Sequence, residues 1–173
     1  LMIVNTNTVV QVITMIPLTK ETAGEGPEVF HGGDVSSPDG SPYGVIREWL
    51  LSPLGAPCTP PPWGELIAVD MEQGTIEWRV PFGSIEKMMP IEIEWNLGTP
   101  NMGGPVVTAG GLIFIGATMD GYLRAFDTDS GKELWKDEMP GGTQTTPMTY
   151  MADGKQHVVM VSGRHGWFRT PVS

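Results

Sequence analysis

The residue types that most often do chemistry in proteins are sparse in this sequence. Cys58 is the single cysteine, which excludes an internal disulfide and a multi-cysteine zinc site. The three histidines, His31, His157 and His165, are far apart and match no metal-binding spacing such as His-Glu-x-x-His. We interpret Cys58 as an inert thiol, and the pattern of these residues predicts no metal site.

Aspartate and asparagine side chains are the remaining candidates. Asp70 and Asp127 recur at equivalent places before a glycine, so we interpret them as turn residues. Asp120 precedes Gly121, and an Asp-Gly pair between apolar runs is typical of a hairpin turn. Asn5 stands in an apolar stretch, where an amide usually has only a structural role. From residue type and spacing alone, a structural role is therefore favoured over a functional one at each of these positions.

Composition limits the class of protein. The chain has 20 acidic and 10 basic residues among 173, a net charge of −10, which disfavours binding to nucleic acid. Its 23 glycines and 16 prolines are costly in helices and argue against a helical bundle. Six tryptophans and abundant aliphatic residues argue against disorder. These properties together predict an all-β fold with many tight turns.

The first third of the chain is irregular. Residues 1–18 predict one or two buried strands; they lack the basic start of a signal peptide and are too polar for a membrane span. Both ends of the chain are expected to lie within a longer protein. Residues 19–62 are rich in glycine and proline and predict a long loop excursion, with an ordered loop favoured over disorder. Within it, residues 43–50 fit a short strand or a turn of helix.

From residue 63 onward the sequence is regular. GELIAVDMEQGTIEWRVPFG predicts a strand, a turn and a second strand. The runs PVVTA, GLIFIGAT, YLRAFD and KELWKDE, separated by Gly-Gly, Asp-Gly and Asp-Ser-Gly, predict a four-stranded antiparallel meander. TPMTYMADGKQHVVMVSG predicts a further hairpin that turns at residues 152–154.

An internal repeat indicates the architecture. The segment from Leu66 to Trp78 aligns without gaps to the segment from Leu123 to Trp135, with the shared pattern L-x-A-x-D-x-x-x-G-x-x-x-W. Aspartate suits the turn, glycine supplies its positive φ, and tryptophan fills the gap to the neighbouring sheet. Repeated four-stranded units with a tryptophan wedge are typical of propeller blades. We therefore predict a partial β-propeller of about three four-stranded blades.

This repeat resembles the tryptophan-docking motif of eight-bladed quinoprotein dehydrogenases. The stretches VNTNTVVQVITMIPL, LSPLGAPCTPPPWGELIAVD, GTPNMGGPVVTAGGLIFIGATMDGYLRAFD, GGTQTTPMTY and SGRHG are similar to the C-terminal part of the membrane-bound, PQQ-dependent glucose/quinate/shikimate dehydrogenase group. The resemblance covers nearly all of residues 1–173, with 63–173 as the tryptophan-docked blades.

The resemblance implies a chemistry. Such enzymes hold PQQ with a divalent cation, Ca²⁺ or Mg²⁺, oxidise a sugar or polyol hydroxyl, and pass electrons to ubiquinone at the periplasmic side of the bacterial inner membrane. The family's general base, stacking tryptophan, main metal ligands and membrane anchor are expected upstream of the matching stretch. We therefore assign no catalytic residue and no metal ligand here, and we expect this segment to be inactive without the remainder of the propeller.

Three cofactor-site residues follow from the resemblance. Asn5, twelve residues before Pro17, matches the family's PQQ-site asparagine. Asp120, in ATMDGYLRA, matches an aspartate near the cofactor, and His165, in SGRHG, matches a histidine that influences cofactor and substrate binding. These three residues are expected to line one wall of the PQQ site.

A second class of protein has the same repeat. Some outer-membrane assembly lipoproteins are non-catalytic propeller scaffolds built from tryptophan-docked blades without a cofactor. The stretches GTPNMGG and SGRHG favour the dehydrogenase, because a scaffold needs no such loops. After SGRHG the sequence WFRTPVS departs from the family's glycine-rich turn and closing strand.

Overall fold

The computed structural model describes residues 1–18, 34–36, 40–85 and 96–163. The chain divides into two compact units, and each is described by itself. The blade unit comprises residues 1–8 and the described residues from 61 onward, and the inserted unit comprises the described residues of 9–60. Nothing in the described ranges forms a helix with the length and hydropathy that a membrane crossing needs.

Twelve strands make up the regular structure of the described ranges. In chain order they are β1 (Met2–Asn7), β2 (Gln11–Pro17), β3 (Asp34–Ser36), β4 (Tyr43–Trp49), β5 (Gly64–Asp70), β6 (Thr75–Pro81), β7 (Val106–Val107), β8 (Leu112–Ile115), β9 (Tyr122–Asp127), β10 (Glu133–Glu138), β11 (Met148–Ala152) and β12 (Lys155–Val159). Strands β2, β3 and β4 belong to the inserted unit, and the others to the blade unit. The predicted all-β class is confirmed.

The first sheet of the blade unit has the strand order β1–β5–β6, and both pairs are antiparallel. β5 and β6 form the hairpin that the sequence predicts. β1, which precedes the inserted unit in the sequence, pairs with β5, with Met2 opposite Val69 and Asn7 opposite Gly64. The central strand, β5, is the most buried of the three, since Leu66 and Ala68 have no exposed surface.

The second and third sheets follow in chain order. β7 to β10 form an antiparallel sheet of order β10–β9–β8–β7, which confirms the predicted meander. β11 and β12 form a hairpin closed by Asp153 and Gly154, whose φ angles of 50° and 72° suit the tight turns of hairpins. In the described ranges the three sheets thus have three, four and two strands, so only the middle one is a complete four-stranded blade.

The two repeated turns have the same construction. The backbone oxygen of Asp70 accepts a hydrogen bond from the N–H of Gly74 (2.8 Å), and that of Asp127 accepts one from Gly131 (2.9 Å). Both glycines have positive φ, 69° and 67°. Each aspartate also caps its turn: Oδ1 of Asp70 accepts from the N–H groups of Glu72 and Gln73, and Oδ1 of Asp127 accepts from Ser130. The predicted turn role of both aspartates is confirmed.

The cap on Asp127 leads to a pH-dependent prediction. The Ser130 hydroxyl, 2.6 Å from Oδ1, is the main cause that holds the pKa of Asp127 below 3.8, whereas backbone N–H groups lower the pKa of Asp70. We expect Ser130→Ala to raise the pKa of Asp127 towards 3.8 and to leave the pKa of Asp70 unchanged, as measured by NMR titration of the carboxyl carbons. Because the pKa of Asp127 is depressed in the folded state, the cap stabilises the fold above pH 3.8. This stabilisation is lost as the pH falls through the lowered pKa. Equal movement of both pKa values would contradict this assignment.

The core of the blade unit lies between its first two sheets. Its buried members are Leu66, Phe82, Ile113, Ile115, Ala117 and Phe126. The rings of Phe82 and Phe126 meet edge to face, with centroids 6.0 Å apart and an interplanar angle of 70°. Phe82 directly follows the first sheet and Phe126 lies in the second, so this aromatic pair couples the two sheets.

Trp78 also couples these two sheets. It projects from β6 onto the turn of the second repeat, where its Nε1 donates to the backbone oxygen of Thr128 (2.9 Å). A Cβ added to Gly131 in that turn would lie only 2.5 Å from the Trp78 ring. Trp135, at the same place in the second repeat, is 47% exposed, and its Nε1 has no acceptor among the described residues. The predicted docking is confirmed for Trp78 and is not observed for Trp135 in this part of the chain.

The inserted unit is a small antiparallel sheet of order β2–β4–β3. Of the two alternatives for residues 43–50, the strand is therefore observed. The expectation that β2 is buried is wrong for the described residues: Val12 and Ile13 are 43% and 62% exposed although they point to opposite faces. An apolar composition indicates a strand without determining what covers it. The interpretation of residues 19–62 as a loop excursion remains a prediction.

Candidate functional site

Asn5 is held on β1 by contacts with a loop that follows the first sheet. Its Nδ2 donates to Oδ1 of Asn101 (2.6 Å) and to the backbone oxygen of Gly103 (3.0 Å). The side chain is half-buried, and no hydrogen bond from a described residue reaches its Oδ1. The amide is therefore fixed through its nitrogen, while its oxygen keeps its capacity to accept a hydrogen bond.

Asn101 lies in the same loop and holds it against several residues of β1. It is almost fully buried, and its backbone exchanges two hydrogen bonds with the side chain of Asn7 (2.8 and 2.9 Å). Its Nδ2 donates to the backbone oxygens of Thr6 and Thr99. Close approach requires a glycine at position 64, because a Cβ there would lie 2.0 Å from the Thr99 oxygen. We call Asn5, Asn7 and Asn101 the asparagine cluster.

Asp120 lies in the connection between β8 and β9, residues 116–121, which is longer than the predicted tight hairpin turn. Its Oδ1 accepts hydrogen bonds from the Thr118 hydroxyl (2.6 Å), from Arg124 Nη1 (3.0 Å) and from the Tyr122 N–H (3.3 Å). Its Oδ2 accepts from Arg124 Nη2 (2.5 Å) and from the Ser84 N–H (2.7 Å). Both oxygens of this buried carboxyl group are thus occupied within the protein.

Arg124 is the counter-charge of Asp120. It is only 3% exposed, and its Nε donates to Oε2 of the half-exposed Glu133 (3.0 Å). Burial by itself would raise the pKa of Asp120, but the hydrogen bonds and charge of Arg124, with smaller contributions from Thr118 and Ser84, hold that pKa below its ordinary value. Asp120 is therefore a carboxylate at neutral pH, and the pair is a buried bidentate ion pair.

Backbone contacts connect the asparagine cluster to Asp120. Asn101 forms an antiparallel bridge with Thr118, and the Thr118 backbone oxygen accepts a hydrogen bond from Gln144 Nε2 (2.7 Å). The same series of contacts continues through a hydrogen bond from the Ala117 N–H to Thr143 (2.7 Å) and a bridge between Gly142 and Gly163. We call this series the polar ladder; its members are Asn101, Ala117, Thr118, Gly142, Thr143, Gln144 and Gly163.

The structure thus brings two of the three predicted site residues into one network. Asn5 and Asp120 are joined through Asn101 and Thr118. His165 lies outside the described residues, two positions after the last member of the polar ladder, and its assignment remains a prediction. The cofactor roles of Asn5 and Asp120 also remain predictions, because both are assigned by resemblance.

Sequence reasoning missed Arg124 and Asn101. A signal for Arg124 was present in the repeat, because the aligned position in the first copy is the buried aliphatic residue Ile67. A charged residue at a position that otherwise requires an apolar one indicates a buried partner. Asn101 had no comparable signal, since its partners on β1 lie more than ninety residues away in the sequence.

The described residues do not form a complete metal site. Among them, no group of three or more histidine, cysteine, aspartate or glutamate residues is placed to hold a metal ion. An amide oxygen such as Asn5 Oδ1 suits a hard cation or a hydrogen-bond donor, yet a single neutral oxygen does not form a cation site. PQQ is a polar heteroaromatic molecule, and a fixed amide such as that of Asn5 is a group that can form a hydrogen bond with a molecule of this kind.

Successive antiparallel sheets, coupled by a docked tryptophan at the turn of a sequence repeat, define a β-propeller fragment. A protein-family model for PQQ proteins, described as the glucose/ethanol/alcohol dehydrogenase β-propeller domain, matches residues 1–158. The chain belongs to this family, and the predicted resemblance to quinoprotein dehydrogenases is confirmed.

Individual relatives agree with the family. The chain is 41% identical over 155 residues to the quinoprotein glucose dehydrogenase of Escherichia coli K12, covering 87% of this chain and 19% of that protein. It is 42% identical over 161 residues to the quinate/shikimate dehydrogenase (quinone) of Acinetobacter baylyi, covering 89% and 20%. Among solved structures, a europium-containing methanol dehydrogenase matches with a TM-score of 0.54 and 27% identity, covering 93% of this chain and 22% of that one. The chain thus spans about a fifth of the length of these proteins.

Proposed function

We propose that this chain is the C-terminal segment of a PQQ-dependent dehydrogenase that oxidises a sugar or polyol hydroxyl and passes the electrons to ubiquinone at the periplasmic side of the inner membrane. The segment contributes one wall of the cofactor site through Asn5, the connection that holds Asp120, and His165. The general base and the ligands of a Ca²⁺ or Mg²⁺ ion come from the remainder of the propeller, so the segment by itself is inactive.

The geometry of Asn5 carries this proposal. Two hydrogen bonds through its nitrogen fix the amide, which leaves Oδ1 as an oriented acceptor on a rigid strand. The polar ladder extends from Asn101 to Gly163, so the loop that holds this amide is linked by hydrogen bonds to the residues that follow the second sheet. When bound, PQQ supplies the acceptor for the two electrons removed from the alcohol. The named relatives, a glucose and a quinate/shikimate dehydrogenase, support a hydroxyl-bearing substrate.

The complete polypeptide should be titrated with PQQ in the presence of Ca²⁺ or Mg²⁺, with dye reduction followed for glucose, quinate and shikimate. Saturable PQQ binding and substrate-dependent reduction of the dye are expected. If the full-length protein binds no PQQ with either cation, the dehydrogenase proposal fails, and the non-catalytic propeller scaffold becomes the better explanation of the fold.

Substitution of Asn5 tests its proposed contact with PQQ directly. In the full-length protein we expect Asn5→Ala to raise the Kd for PQQ by about tenfold, since an oriented polar contact to the cofactor is lost. The measurement is a PQQ titration followed by tryptophan fluorescence at fixed Ca²⁺.

Asn7→Ala is the matched control for Asn5→Ala. It removes two hydrogen bonds to the same Asn101 from the same strand, but from a more exposed position. Because Asn101 keeps its hydrogen bonds to Thr6 and Thr99, we expect the Kd of this variant to stay within about twofold of the wild-type value. If both variants weakened PQQ binding equally, Asn5 would act only through the position of Asn101.

A further inference from the structure

We propose that Arg124 is a positioning residue for the PQQ site, and that Asp120 acts through the backbone segments it fixes and does not contact the cofactor. This inference rests on the proposed function and specifies how one wall of that site is held in place. It assigns a role to Arg124 and changes the role that resemblance gives to Asp120.

The carboxylate of Asp120 has no remaining capacity for a ligand. Its Oδ1 accepts three hydrogen bonds and its Oδ2 accepts two, all from groups of this chain. A carboxylate oxygen offers about two lone pairs, so both oxygens are saturated. The side chain is also almost completely buried. A direct contact from Asp120 to a cofactor would require the loss of one of these bonds.

Arg124 uses four of its five N–H donors and connects separate parts of the blade unit. Nε binds Glu133 on β10, while Nη1 and Nη2 bind Thr118 and Asp120 in the connection before β9. Through Oδ2 of Asp120 the network reaches the Ser84 N–H, just after the first sheet. The guanidinium group therefore fixes the connection of the second sheet against the end of the first.

The fixed connection leads to the asparagine cluster. Thr118 accepts a hydrogen bond from Arg124 at its hydroxyl and pairs with Asn101 through its backbone. Asn101 in turn accepts the hydrogen bond of Asn5. A displacement of the guanidinium group is thus transmitted through two residues to the amide that faces the cofactor.

Comparison of the two repeat copies indicates that the hydrogen-bond network of Arg124 is not needed to build a blade. In the first copy the position of Arg124 holds Ile67, which is buried in the same kind of strand without any ion pair. An aliphatic side chain is the less costly solution in a core, because a buried charge must be fully compensated. The buried arginine at this position is therefore explained by a need to hold residues 116–121 in a fixed position.

The test uses the full-length protein and PQQ at fixed Ca²⁺, under conditions where thermal melts show every variant to be folded. We expect Arg124→Met to raise the Kd for PQQ by about tenfold or more, and Arg124→Lys, which keeps the charge without the bidentate geometry, to have an intermediate effect. Two controls accompany them. Asp153→Asn removes a charge in the turn between β11 and β12, and Gly131→Ala destabilises the fold at the tryptophan dock.

Both controls should leave the Kd within about twofold of the wild-type value. A wild-type Kd for folded Arg124→Met, or an equal loss of affinity in Gly131→Ala at an equal fall in melting temperature, would overturn the positioning role. If Arg124→Met does not fold, Arg124→Lys decides the question by the same criterion. A wild-type protein that binds no PQQ overturns the proposed function itself, and this inference with it.

Discussion

Asp120→Leu is expected to lower the free energy of unfolding by about 3–5 kcal/mol, because Arg124 stays buried after its counter-charge is removed. The Ser84 N–H and the Thr118 hydroxyl lose an acceptor in the same step, since both donate to this carboxylate. The measurement is urea-induced unfolding of the full-length protein, with wild type and variant compared by their midpoints.

The double variant Asp120→Leu/Arg124→Met distinguishes two contributions to the free energy of unfolding: the cost of an unpaired buried charge and the net stabilisation by the ion pair. Replacement of both partners by apolar residues of similar volume is often neutral, so we expect the double variant to recover most of the lost stability. An Asp120→Leu variant as stable as the wild type would contradict the buried ion pair. A double variant as unstable as the single one would show that the hydrogen bonds to Ser84 and Thr118 dominate.

The second large effect concerns two glycines at equivalent repeat positions. Gly74 and Gly131 have nearly equal positive φ angles, but a Cβ on Gly74 meets no atom within 4 Å, whereas one on Gly131 would lie 2.5 Å from the ring of Trp78. Gly74→Ala is therefore expected to cost about 1 kcal/mol, from backbone strain. Gly131→Ala adds displacement of a docked tryptophan, and we expect about 2–4 kcal/mol in total.

This pair controls for backbone conformation, repeat position and the chemistry of the substitution. The two variants should be compared by their urea midpoints in the full-length protein, and the difference between them measures the docking of Trp78 against the second turn. Equal costs at both glycines would show that the ring of Trp78 moves aside freely and contributes little to the coupling of the two sheets.

Local patterns predicted most of the blade unit. Alternating apolar residues and Asp-Gly turns indicated the strands, and the shared repeat indicated the docking of Trp78. These features are encoded within about fifteen residues, which is the range over which strand and turn preferences act. The exposure of β2 was not predictable in this way, because burial depends on what packs against a strand and not on its composition.

The candidate site was less accessible to sequence reasoning. Resemblance selected Asn5 and Asp120, but residue types and spacing could not show that Asn101 and Thr118 join them, because the contact between Asn5 and Asn101 spans 96 residues. Nor could they show that every acceptor position of Asp120 is occupied. Hydrogen-bond saturation is a property of three-dimensional arrangement, and it changes the expected role of this aspartate from cofactor contact to support.

The pairing of β1 with β5 has a consequence for the order of folding. These neighbouring strands are separated by residues 8–63, and closing a loop of this length costs about 2 kcal/mol more entropy than closing a short hairpin. The pairing of Gln11 with Trp49 in the inserted unit closes most of that loop first and reduces the cost by about 1 kcal/mol. The second sheet, a meander of adjacent strands, needs no such help. We therefore expect β7 to β10 to form early in folding. β1 is expected to pair with β5 late, after β2 has paired with β4 in the inserted unit.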